Sequence, residues 1–158
     1  MVMVSSRGLL HFAALAVVAA VTSSGLAGCG QVTYGACPGW VDYSDPNDAF
    51  AAADAVVVGH VLERDGTMAD DFGEARAYTF DVEEVHKGEV QGPTVRIGSR
   101  ADTCDGGDGY VSGDLLATDE RILVYLVEVT GGLMTLTPGQ GVVPFDEGIV
   151  LPFHTGEQ

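Results

Sequence analysis

Basic residues are scarce in this chain. Lys87 is its single lysine, and seven basic residues face 23 acids, for a formal charge of −16. A surface of that sign repels nucleic acid and anionic lipid, and the arginines are too scattered to form a basic patch, so the composition argues against a nucleic-acid partner. The acidity reads first as solubility in an exposed compartment. Cysteine is equally sparse: there are three, none in a Cys-x-x-Cys suited to zinc or thiol redox work. Gly-x-Ser-x-Gly, P-loop and His-Glu-x-x-His patterns are missing. His60, His86 and His154 lie far apart, in no zinc spacing. Glu83 and Glu84 are adjacent, which on a regular strand sends them to opposite faces and makes a poor acid–base dyad. The expectation is a protein without a catalytic site or a cofactor.

What is present is an address. Arg7 heads an apolar run from Leu9 to Val21, Thr22 to Gly25 break it, and Leu26-Ala27-Gly28-Cys29 follows. A positive head, an apolar middle and small residues before a cut are the physical needs of an export signal. Leu-Ala-Gly-Cys resembles the bacterial lipobox, which implies cleavage after Gly28 and a diacylglyceryl group on Cys29. Residues 1–28 are then a lipoprotein signal peptide and 29–44 a tether. The expected location is the extracytoplasmic face of the cell membrane, held there by lipid. The competing reading, a transmembrane anchor over Leu9 to Gly28, suffers from the weak hydrophobicity of Ala, Gly and Ser.

From Asp45 onward one domain is expected. Asp45 can cap a short helix whose first position suits Pro46. Ala55 to Glu63 reads as a strand bulged or bent at Gly59, and Arg64 to Gly73 as a polar loop. Ala75 to His86 alternates, with Tyr78, Phe80, Val82 and, after a slip that signals a bulge, Val85 on one side. Thr94 to Ile97 forms a short strand, Arg121 to Val129 the strongest one, and Gly131-Gly132 turns into Leu133 to Thr137. Residues 138–158 form a C-terminal extension that either supplies an edge strand around Phe145 to Leu151 or wraps the surface. Trp40 and Tyr43 offer an aromatic contact surface near the tether, or anchors for the helix. Five short strands and one small helix predict an all-β domain, a small barrel over 45–137.

These segments also resemble a known family. Ala53-Asp54-Ala55-Val56-Val57-Val58-Gly59-His60-Val61, then Tyr78-Thr79-Phe80-Asp81-Val82 with Val85-His86-Lys87-Gly88, then Thr103-Cys104-Asp105, then Gly113 and Arg121-Ile122-Leu123-Val124-Tyr125, follow in the order seen in bacterial proteins similar to the N-terminal domain of tissue inhibitors of metalloproteinases. The resemblance implies a netrin-like OB-fold barrel. In those inhibitors a Cys-x-Cys opens the mature chain, and the free amine and carbonyl of its first cysteine bind the protease zinc. Here Cys29 is the acylation site and Cys37 lies well downstream, so the resemblance carries fold rather than activity. The segment Thr135 to Pro138 also lacks a cysteine often found there. In the family a cysteine before the helix bonds to the one in the later loop, which implies a Cys37–Cys104 disulfide contributing about 2–4 kcal/mol. Two free thiols remain the alternative.

Asp102, Asp105 and Asp108, set among glycines, are the candidates for a hard-cation site, although the spacing is not that of an EF-hand and solvated turn residues explain them as well. The expected function is a lipid-anchored binding module for a protein or other ligand at the cell surface. A metalloprotease inhibitor acting through a loop, and a cation-dependent enzyme built on the acidic loop, are the alternatives.

Overall fold

Pro46–Ala52 form the single helix among the described residues, α1. Asp45 caps it as expected, its Oδ1 accepting the Asn47 N–H at 2.9 Å, with Pro46 opening the first turn. At the other end the Lys87 ammonium donates to the carbonyls of Phe50 (2.7 Å) and Ala51 (2.9 Å). The only lysine thus closes the negative end of the helix and ties it to the sheet. The structure is a computed structural model that describes residues 39–103 and 109–155. The expected signal peptide, Cys29, Cys37, Cys104, Asp105 and Asp108 lie outside the described residues, and so does the expected disulfide.

Six strands follow: β1 (Ala55–Asp70), β2 (Gly73–Lys87), β3 (Thr94–Ser99), β4 (Ile122–Val129), β5 (Gly132–Thr135) and β6 (Val142–Pro144). β1 pairs with β2, β2 with β3, β3 in parallel with β5, β5 with β4, and β4 again with β1, so five strands close a ring. β6 adds to β4 through Ile122↔Pro144 to Val124↔Val142. The domain is all-β with one short helix.

The apolar runs of β1 and β4 are continuous because both faces are covered. Val57, Phe80, Ile97, Ile122 and Val124 pack together on one face. Val56, Val58, Leu123 and Tyr125 pack on the other with Ala49 of α1 and with Phe145 and Phe153 of the C-terminal stretch. Each such side chain, fully buried, contributes about 1.5–3 kcal/mol. Phe153 stacks on Phe50 at 4.2 Å between ring centroids, which fastens the C-terminal stretch over α1.

Three expectations are corrected. Arg64 to Gly73 is not a loop: β1 runs on to Asp70, its register absorbing a shift between Arg64 and Thr67 where Gly66 takes a positive φ of 72°. Met68, read as part of the loop, is buried against Ala75, Ala77 and Met134. The edge strand falls at Val142–Pro144, ahead of Phe145 to Leu151. Val85 keeps its expected side, opposite Val57, yet is half exposed because β2 and β3 part at Asp81↔Thr94 and nothing covers it. Gly59 sits at a register shift as expected, and a Cβ there would lie 1.9 Å from the Asp81 carbonyl oxygen.

Candidate functional site

The register of β2 against β1 slips twice near its end. Val58 faces Glu84 while Gly59 faces Val82, and Val56 faces Lys87 while Val57 faces Val85, so Glu83 and His86 are the two extra residues. A bulge turns neighbouring side chains toward one side. Glu83 and Glu84, expected on opposite faces, therefore both reach Arg121 at the entry to β4. The Arg121 Nε donates to Glu83 Oε2 at 2.6 Å, Nη2 to Glu84 Oε1 at 2.7 Å, and Nη1 to the Phe145 carbonyl at 3.1 Å. Hydrogen bonds to Glu83 first, then Glu84, hold the guanidinium pKa above its ordinary value.

Each carboxylate also meets an imidazole. His60 Nε2 lies 3.2 Å from Glu83 Oε1, and His86 Nε2 3.1 Å from Glu84 Oε2. The five side chains tie β1, β2 and β4 into one charged array beside an open cleft of about 450 Å³, rimmed by Glu147, Ile149 and Leu151. The lining of that cleft offers no serine, threonine, cysteine or lysine to act as a nucleophile. Both carboxylates are committed to Arg121. The array therefore ties β1, β2 and β4 together electrostatically and presents charges of both signs beside the cleft.

A second polar cluster pins the segment after the acidic loop. Asp114, its side chain 2 % exposed, accepts from Ser99 Oγ (2.5 Å) and the Leu116 N–H (3.2 Å) through one oxygen. Through the other it accepts from Tyr78 OH (2.6 Å) and Arg76 Nη1 (3.4 Å). Burial, then the Asp114 carboxylate, pushes the Tyr78 phenol well above its ordinary pKa, so it stays a donor. Tyr110 donates to the Ser99 carbonyl at 2.6 Å and lies under the Arg76 guanidinium at 3.9 Å.

Of the acidic-loop candidates, Asp102 alone is described; it is exposed, and its N–H donates to the Gly109 carbonyl at 2.8 Å. Among the described residues no group of three or more His, Cys, Asp or Glu side chains has the arrangement of a metal site. Trp40 and Tyr43 do not share a surface. Trp40 meets Phe72 edge-on at 5.3 Å and faces Arg100, whereas Tyr43 packs on the core beneath α1. Arg121 had no sequence signal of its own; the slip between Val82 and Val85 was the only pointer to the array. In comparisons with known proteins, no family model and no curated protein matches the chain.

Proposed function

We propose that this protein is a lipid-anchored binding module at the extracytoplasmic face of the cell membrane, built on an OB-like barrel and tethered through acylated Cys29. The observation that supports the reading is the strand ring, β1-β2-β3-β5-β4 closing on β1 with β3 and β5 parallel, from which we infer an OB-like barrel. Barrels of this kind use their strand faces and loops for recognition, and here the charged array and its cleft supply such a surface. The tether follows from the lipobox-like Leu26-Ala27-Gly28-Cys29. Two acyl chains give stable attachment where one gives only reversible binding.

The address and the binding role are tested separately. Cys29→Ser is expected to leave an uncut precursor or a released protein on fractionation; normal processing with full membrane retention would remove the lipid from the reading. Crosslinking and pull-down from membranes should return a partner whose recovery falls with Glu83→Gln plus Glu84→Gln. Recovery of no partner, together with turnover of a substrate by the purified chain, would replace a binding module with an enzyme.

A further inference from the structure

The far end of β2 is held from one side. β2 leaves β3 after Asp81↔Thr94 and one further bond, from the Val82 N–H to the Pro93 carbonyl at 2.8 Å. From Glu83 to Lys87 its strand partner among the described residues is β1 alone, through a register broken by two bulges. A bulged edge without an outer partner opens more readily than a strand paired on both sides. Besides β1, what holds it is the charged array and, at its last residue, the Lys87 ammonium on the carbonyls of α1.

With neutral imidazoles the array is electrically incomplete. Arg121 takes one oxygen of each carboxylate, Oε2 of Glu83 and Oε1 of Glu84. The oxygen it leaves is in each case the one that an imidazole meets, His60 at Glu83 Oε1 and His86 at Glu84 Oε2. Two carboxylates therefore share one cation, and the His86 Nε2 is buried beside a carboxylate without making a hydrogen bond. The surroundings add acid on both sides. Asp81 of β2 stands opposite His60 in the register, and Glu147 of the C-terminal stretch lines the cleft with His86. Arg121 is the one permanent cation among the described residues of that lining, because Lys87 is turned to α1. The Phe153 ring meets His86 edge-on at 6.1 Å.

We infer that the array is a proton-operated lock on the bulged end of β2. Imidazoles change charge between pH 5 and 8. Proton uptake at both histidines gives five alternating charges in the order His60, Glu83, Arg121, Glu84, His86, and joins β1, β2 and β4 through two further ion pairs. The closed bulge holds these protons more tightly than an open one. The added stability is therefore complete in mild acid and is lost as pH rises through the imidazole range, where Arg121 holds the carboxylates alone. The inference concerns the fold's own response to pH and is independent of the lipid anchor and of any partner.

The test is amide hydrogen exchange in the full-length chain at pH 5.5 and pH 7.5, each rate divided by its intrinsic rate at that pH. The amides of Glu84 to Lys87 are compared with those of Leu123 and Leu126 in the core, so that a change in global stability cancels. Relative protection of the bulge should be about threefold higher at pH 5.5, the worth of two partly exposed ion pairs. His60→Gln plus His86→Gln should abolish the difference. Glu83→Gln plus Glu84→Gln, which keeps both imidazoles, should abolish it as well and serves if the first variant does not fold. Equal relative protection at the two pH values in the wild-type chain would overturn the inference, and so would a difference that survives either double substitution.

Discussion

Tyr125→Phe should make this protein more stable. The ring is buried in the core, meets Phe153 edge-on at 6.0 Å, and keeps all of that packing as phenylalanine. Only the hydroxyl is lost, and it is buried without a partner. Returning such a group to water in the unfolded chain is favourable by roughly 1–3 kcal/mol, and the lower figure allows for partial relaxation around it. A gain of about 1 kcal/mol raises the melting temperature by about 3–4 °C in a chain of this size. The pH dependence supplies a second signature. Burial pushes the Tyr125 phenol up to about 12 from its ordinary 10.0. The folded state therefore holds a proton that the unfolded state has already lost, so this group's contribution is complete below the unfolded pKa and disappears as pH rises through the folded one. Urea titrations of both proteins from neutral pH to about pH 12 should diverge, with the wild type falling faster above about pH 10. Tyr78 and Tyr110 are raised as well and slope both curves, so the difference between the curves isolates Tyr125. A variant less stable at neutral pH would show that the hydroxyl has a favourable partner, and two parallel curves across the alkaline range would show that folding does not raise this phenol; either result refutes the reasoning.

Arg121→Ala leaves Glu83 and Glu84 adjacent without their shared cation, and should cost about 1–2 kcal/mol in urea denaturation, less at high salt. Arg121→Lys should recover under half of that, because a point charge cannot span both carboxylates and the Phe145 carbonyl. Asp114→Asn replaces one acceptor oxygen by a donor facing Tyr78, Ser99 and Arg76, and should cost about 2–4 kcal/mol, with faster hydrogen exchange at the Leu116 amide. Gly59→Ala puts a methyl group 1.9 Å from a backbone oxygen that cannot swing away, so a loss of about 3 kcal/mol or more, or failure to accumulate, is expected on expression.

The strands were legible wherever β-branched residues ran together, because β1 and β4 are buried on both faces and need no alternation to declare themselves. The helix was legible from Asp45-Pro46, whose roles are fixed by local geometry. The far half of β1 was hidden because its residues are mostly polar: what holds Arg64 to Asp70 extended is pairing with Arg76, Ala75 and their neighbours, and pairing partners leave no mark on composition. The charged array was hidden for a related reason. Parity along a strand assigns Glu83 and Glu84 to opposite faces, and a single inserted residue cancels that rule. The unpartnered Tyr125 hydroxyl could not be read at all, since every tyrosine offers a hydroxyl and only the fold decides which one goes unmet.

The scarcity of basic residues also takes on a structural meaning. Lys87 closes α1 against β2, Arg121 holds the bulge to β4, and Arg76 binds Asp114 beneath the loop that follows β3. Arg100 lies against Asp70 at 3.3 Å and donates to the Leu136 carbonyl, while Arg96 clasps Asp65 and the carbonyls of the β1 bulge. Each of these cations joins elements that are distant in sequence, and each is engaged by acids or carbonyls at its head. Few positive charges are left to offset the exterior, so an approaching molecule meets a field of one sign. Anions are turned away by that field, and cations are drawn to every carboxylate on the surface without discrimination.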